Sequence, residues 1–238
     1  MSALAPPLDL LTRRGGSPRP LLVDASLPPA RVELSGRVLA NWWAKNLGLL
    51  STEFSLGPGD RVEIQAAASW RTVPLALSAL TLGATVSENS VEAADADLVI
   101  TDHLDDEILA APEVLAVATE PLALDFGAAL PAGVVDHAAE VRAHPDQPMF
   151  DASAAASSRL SPAPGEEPTA GLDWLADAAH RPSGIDQVVS LSTGHGVLAA
   201  AIQVLAAGET GHVVLHAGAT PDERLAAQEG ITAAGPTW

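Results

Sequence analysis

The sequence has no cysteine and no tyrosine. Disulfides and thiolate metal sites are therefore excluded. Of its 12 basic residues only Lys45 is a lysine, so no mechanism that needs two lysines can run within it. The 12 basic residues face 30 acidic ones, a net charge of −18. A basic face for nucleic acid is thereby excluded, because binding to phosphates needs clustered Lys and Arg. Long apolar runs are also missing. None reaches the roughly 18–20 residues of a membrane span. The N-terminus reads Met1-Ser2-Ala3-Leu4-Ala5-Pro6-Pro7, with Arg13 and Arg14 after the apolar residues. A signal peptide has the opposite order, so a cytoplasmic location is expected.

What is present is a globular composition. Hydrophobic residues make up 47 % and aromatics only 3 %, so the core must be aliphatic and fine-grained. The 238 residues suit one large domain or two small ones. The acidic bias has two readings, a saline cytoplasm or a GC-rich genome that avoids Lys, and the near-absence of Lys favours the second. Either way it bears on solubility rather than fold.

Periodicity predicts alternating strands and helices. Leu21–Asp24 and Arg31–Leu34, around Pro28-Pro29, read as a hairpin. Ser35 reads as an N-cap, followed by an amphipathic helix over Gly36–Phe54 that carries Val38, Leu39, Trp42, Trp43, Leu47 and Leu50. Arg61–Gln65 is a strand. Ser69 caps a helix over Trp70–Leu82, apolar nearly all round, that ends at Gly83. Thr85–Ser87, Leu98–Thr101 and Val114–Ala118 are strands, with a helix over Asp105–Ala110. Pro131–Arg142 is expected to contain one helix, and Leu172–Ala179 another. Strand Gln187–Leu191, helix Val197–Ala207, strand His212–His216 and helix Pro221–Glu229 complete the alternation. The fold class expected is α/β, with a doubly wound, mainly parallel sheet. The organisation expected is a single domain: a first α/β lobe over about 20–144, a flexible Pro/Ala/Ser-rich loop over about 145–169, and a C-terminal βαβα unit over about 170–238.

The candidate ligand site is the loop Ser192, Thr193, Gly194, His195 and Gly196. It follows a strand and opens a helix, where free amides and the helix dipole favour an anion or polar ligand. No Gly-Lys-Ser/Thr or Gly-x-Ser-x-Gly occurs there, so it is neither a Walker loop nor a nucleophile elbow. An ordinary βα turn with a capping hydroxyl is the other reading. His212 and His216 lie about 13 Å apart on a strand and cannot share a metal. His103, His137, His144 and His180, in polar surroundings, read as surface residues. Asp95, Asp97, Asp102, Asp105 and Asp106 read as a solvated edge, with Asp105-Asp106 complementing a helix dipole. No metal site is expected. One of Trp42 and Trp43 should face the core and the other its margin.

The segments Val32-Glu33-Leu34-Ser35, Leu39-Ala40-Asn41-Trp42, Leu56-Gly57-Pro58-Gly59-Asp60-Arg61-Val62 and Ala76-Leu77-Ser78-Ala79-Leu80-Thr81-Leu82-Gly83-Ala84 resemble the start of the adenylate-forming superfamily. That superfamily comprises acyl-CoA synthetases, adenylation domains and luciferases. Val188 to Ile231 is similar to a later part of the same domain. There His195 matches the family's substrate-pocket His, and Val204-Leu205-Ala206-Ala207-Gly208 its "L-x-x-G". Length, together with Leu130-Pro131-Ala132-Gly133-Val134-Val135-Asp136 and Ala139-Glu140-Val141-Arg142, resembles short, roughly half-length actinobacterial relatives of these synthetases. The resemblance covers about 20–102 and 185–234.

The resemblance implies a truncated N-terminal domain. ATP and Mg²⁺ would be the family's cofactors. Its phosphate loop, "[ST]-S-G-[ST]-T-G-x-P-K-G", should fall where this chain has Asp151–Thr169, a stretch with no Lys and one Gly. The later "Y-G-x-T-E" and "T-G-D" motifs and the domain with the adenylation lysine would lie beyond Trp238. Lys45 matches neither family lysine. Phosphoryl transfer needs positioned cations, so no cofactor is expected and the chain reads as a pseudoenzyme. It would act by binding a small acyl or nucleotide-like ligand or a protein partner, or by self-association, with neither nucleic acid nor membrane as partner. The alternative is one part of a split acyl-CoA synthetase, or a hydrolase using His195 with Ser190 or Ser192.

Overall fold

The computed structural model describes residues 11, 14–89, 93–151, 153–161, 169–170, 188–207 and 211–231. Strand β1 (Pro20–Ala25) turns through the cis Pro28-Pro29 bond and pairs antiparallel with β2 (Val32–Ser35). Ser35 ends β2 in an extended conformation, and its hydroxyl accepts the Val38 amide. That cap starts α1 (Gly36–Glu53). Leu39, Trp43, Leu47 and Leu50 recur on one helical face and are buried. Trp43 is 1 % exposed and Trp42 half-buried, so the two indoles divide between core and margin.

Strand β3 (Arg61–Gln65) leads to α2 (Thr72–Thr81). Ser69 holds the start of α2 by accepting from the Arg71 and Thr72 amides. Pro74 lies in the first turn, where its missing N–H costs no helical bond. All ten residues of α2 are buried. The chain then forms β4 (Thr85–Glu88), β5 (Leu98–Thr101), β6 (Val114–Ala116) and β7 (Val134–Asp136). After β7 come α3 (His137–Glu140), β8 (Arg159–Ser161) and β9 (Thr169–Ala170). The last described elements are β10 (Val188–Ser192), α4 (Val197–Ala206), β11 (His212–His216) and α5 (Glu223–Glu229).

Two sheets result. One runs β10-β11-β1-β2, the other β7-β6-β5-β3-β4-β8-β9. Six strands of the second, β7 to β8, are parallel throughout. Helix α2 packs against both α1 and α4. One aliphatic core joins Leu22 and Leu215 of the small sheet to Val62 and Ile64 of the large one. The α/β, mainly parallel architecture is thus as the sequence indicates. No helix among the described residues is long and apolar enough to cross a membrane.

Several local expectations need correction. Pro131–Arg142 contains one α-helix, as expected, but it is only four residues long and follows a strand that the sequence did not indicate. Val134 and Val135 extend as β7, and Asp136 then caps α3 by accepting the Ala138 and Ala139 amides. The flexible loop expected over 145–169 contains β8, whose Leu160 is 1 % exposed and which pairs in parallel with β4. Residues 162–168 of that loop, and the helix expected at Leu172–Ala179, lie outside the described residues. Asp105–Ala110 yields only a 3-10 turn at Ile108–Ala110. The sheets also cut across the division near residue 144. β1 and β2 join β10 and β11, because the apolar strand β1 accepts β11 in parallel beside it.

Candidate functional site

The carboxyl ends of β1, β3, β5 and β6 open into one pocket of about 150 Å³. This is the end at which open α/β sheets take ligands. Its walls include Ala67, Ala68, Trp70, Val117 and Ala118, with Thr193 contributed by the loop after β10. Among the described residues, the ionisable ones in its lining are Asp24 and Asp102. Both are committed to local structure. Asp24 Oδ1 accepts the Ser26 amide and hydroxyl, and Oδ2 accepts the Trp70 amide at 2.9 Å. Asp102 Oδ2 accepts the Ala67 amide at 3.0 Å, while Oδ1 faces His103 Nδ1 at 3.1 Å. The two carboxylates therefore fix the loops that shape the pocket.

The five loop residues singled out by sequence have different surroundings. Ser192 Oγ accepts the Gly194 amide at 3.3 Å. Thr193 lines the pocket. Gly194 and His195 are exposed, and His195 Nδ1 faces the Ser192 main-chain oxygen at 3.2 Å. Gly196 has φ +91°. Ser190 is buried within β10. The contacts of His195 and Ser192 are thus with main chain, not with each other's side chains.

The anion at the start of α4 comes from the protein itself. Val197 N donates to Glu88 Oε1 at 2.6 Å, and Leu198 N to Oε2 at 3.1 Å. Burial raises the pKa of Glu88, the two amide bonds oppose that shift, and the charge of Glu63 adds to it. A Cβ at Gly196 would lie 2.5 Å from Oε2, so the glycine lets the carboxylate reach the amides. Sequence reasoning missed Glu88 by ending its strand at Ser87. The available signal was an acidic residue directly after the apolar stretch Thr85–Ser87.

His212 and His216 occupy the two ends of β11 as expected, whereas His137, expected at the surface, is buried. His137 is 0 % exposed, and its Nε2 lies 2.9 Å from Asn46 Oδ1. Desolvation, and then the charge of Arg71, lower its pKa to about 3. The polar neighbours of His137 in sequence suggested exposure, but α3 turns it onto α1, beside Trp42. His216 is buried at the far end of β11 from His212. His103 remains largely exposed beside Asp102. His180 lies outside the described residues. In the acidic stretch, Asp97 accepts the Arg61 amide and Asp105 the Ile108 amide, which makes them backbone ties. Lys45 pairs with Asp146 at 2.8 Å.

No protein-family model matches the chain. Over 125 residues it is 37 % identical to a TIGR03089 family protein of Mycobacterium tuberculosis (strain ATCC 25618 / H37Rv), covering 49 % of this chain and 50 % of the relative. A Brucella canis acyl-CoA synthetase superposes with a TM-score of 0.72 at 19 % identity, over 97 % of this chain and 47 % of that one. The fold is that of the adenylate-forming synthetases. Anthranilate CoA ligase AuaEII, solved with anthranoyl-AMP, matches 96 % of this chain and 47 % of its own, with a TM-score of 0.64 at 14 % identity. The NpsA N-terminal subdomain of Klebsiella oxytoca matches 96 % of this chain and 60 % of its own, with a TM-score of 0.61 at 16 % identity. The match covers about half of the Mycobacterium relative, and the chain spans about half of the Brucella synthetase. Within this adenylate-forming fold, the strand-end pocket brings together residues of both sheets, Asp24 from one and Asp102 from the other.

Proposed function

We propose that the chain uses the adenylate-forming fold as a binding module, holding a small, uncharged, acyl-type ligand in the strand-end pocket without activating it. The observation that carries this reading is the pocket's composition. Its walls are mainly apolar, and among the described residues no Lys, Arg or His lines it. Its carboxylates Asp24 and Asp102 already accept backbone amides. A cavity near 150 Å³ suits a benzene-sized apolar group. A triphosphate with Mg²⁺ does not fit this lining, whose described residues offer negative charge and no cation to offset it. The absence of lysine from Asp151–Thr169 supports the same reading.

The test pairs binding with catalysis. The full chain is titrated calorimetrically with S-butyryl-N-acetylcysteamine, a neutral thioester, and separately with ATP·Mg²⁺. ATP–pyrophosphate exchange is measured with a panel of carboxylic acids. The expected result is saturable thioester binding that Ala67→Trp at the exposed pocket rim weakens, with exchange at background. Exchange above background, or thioester binding indifferent to Ala67→Trp, overturns the reading.

A further inference from the structure

A second pocket, of about 280 Å³, lies between α1 and the segment 122–142. Its apolar surface comes from Trp42, Trp70, Leu122 and Leu124. The indoles of Trp42 and Trp70 meet edge to face with centroids 5.0 Å apart. Leu122 and Leu124 are 81 % and 65 % exposed and line the same pocket as the two indoles, so together they form an apolar patch at its opening. Trp70 also lines the strand-end pocket, so the two cavities share one wall.

The charge around this pocket is opposite to that of the chain. Three of the 12 basic residues, Lys45, Arg71 and Arg142, line it, and among the described residues no Asp or Glu does. Lys45 has a partner in Asp146. Arg71 does not. It is 3 % exposed, and among the described residues it makes no ion pair and its buried Nε has no hydrogen-bond partner. Its guanidinium stacks 4.2 Å from the Trp70 ring centroid and donates from one nitrogen to the Pro121 and Ala123 carbonyls. Arg142 likewise donates to the Leu124 carbonyl at 3.0 Å. The nearby carboxylate, Asp136, attracts Arg71 through its charge, but its oxygens accept the Phe126, Ala138 and Ala139 amides, and Arg142 repels Arg71 from the other side. One carboxylate thus faces two guanidinium groups, and a buried cation that is incompletely compensated is costly. A guanidinium has five donors, and both arginines keep some unused.

We infer that this pocket binds an amphipathic monoanion, a carboxylate on an apolar tail. The carboxylate supplies the counter-charge for Arg71 and Arg142, and the tail packs on Trp42, Trp70 and the two leucines. The site is separate from the neutral-ligand pocket and does not depend on that reading.

Octanoate is the probe, with 1-octanol as its uncharged counterpart, each titrated into the full chain by calorimetry. The expected result is octanoate bound at least about tenfold more tightly than octanol. Arg142→Gln, at an exposed position, should weaken octanoate about tenfold and leave octanol unchanged. Arg71→Gln should do the same, and if it fails to fold, Arg142→Gln alone carries the test. Ala67→Trp, at the other pocket, should leave octanoate affinity intact. Equal affinity for acid and alcohol, no octanoate binding, indifference to Arg142→Gln, or loss with Ala67→Trp overturns the proposal.

Discussion

Glu88 reaches across the molecule to Val197, 109 residues later in the chain, and accepts its amide at 2.6 Å. Glu88 ends β4 in the large sheet, while Val197 starts the helix that links β10 to β11 in the small one. One carboxylate therefore caps a helix and ties the two sheets together. Side-chain anions at helix starts are favoured by the exposed amides and the dipole.

Glu88→Ala should leave the Val197 and Leu198 amides without their acceptors and cost about 1–3 kcal/mol, read from urea unfolding at pH 7. The pH dependence has a defined sign. Folding raises the pKa of Glu88, chiefly through burial. The folded state thus holds that proton more tightly than the unfolded one. Its contribution is full below the ordinary carboxylate value of 4.5 and is lost as pH rises through the raised folded value. Wild type should lose stability relative to Glu88→Gln over that window. A constant difference between the two would rule out burial as the dominant cause.

Gly196→Ala should be destabilising by about 2 kcal/mol or more, because its φ of +91° disfavours a side chain and the new Cβ would press on Glu88. The two contributions separate in a double-mutant cycle. With Glu88→Ala already in place, the collision disappears and only the backbone strain remains. The double mutant should be at least about 0.5 kcal/mol more stable than the sum of the single losses indicates. Strict additivity in denaturant unfolding would show that the carboxylate does not press on this glycine.

The contrast between β3 and β8 shows what a local pattern can record. Arg61–Gln65, Leu98–Thr101 and His212–His216 were legible because each is an apolar or β-branched stretch bounded by polar or glycine-containing turns. Arg159–Ser161 is only three residues long, and its strand character comes from lying beside β4. Val134–Asp136 is similar, an edge strand defined by β6. The site divides in the same way. The strand-to-helix change marked residues 192–196 as a place of free amides. It carried no record that Glu88 would fill the first two amides of α4, since that contact is set by tertiary packing. The burial of His137 was hidden for the same reason, because Asn46 lies 91 residues away.

His137 should make stability fall on acidification. Its folded pKa of about 3 lies below the ordinary 6.5, so the folded state favours the neutral ring. Above pH 6.5 neither state is protonated and the contribution is complete. As pH falls from 6.5 towards 3, the unfolded chain takes up a proton that the folded one refuses. At pH 5.5 this costs about 1 kcal/mol relative to pH 7.5. His137→Asn should lack that component while retaining a polar contact for Asn46. Parallel losses in wild type and variant between these pH values would mean that His137 is not buried as a neutral ring.

The hydrogen bond from Trp43 Nε1 to Thr81 Oγ1, 3.1 Å and fully buried, joins α1 to α2 at the centre of the core. Thr81 also donates to the Leu77 carbonyl at 2.7 Å, which aims its lone pair at the indole. Thr81→Val keeps the shape but leaves a buried N–H with no acceptor, so it should cost about 1–3 kcal/mol. Trp43→Phe removes the donor together with part of the ring, and should cost a similar amount through lost packing. The informative variant is the pair. With phenylalanine at 43, valine at 81 strands no donor, and the two apolar groups can pack. The double mutant should therefore be clearly less destabilised than the sum of the singles, by about 1 kcal/mol in chemical denaturation. A neutral Thr81→Val substitution would show that the indole finds another acceptor and that α1 and α2 are held by apolar packing alone.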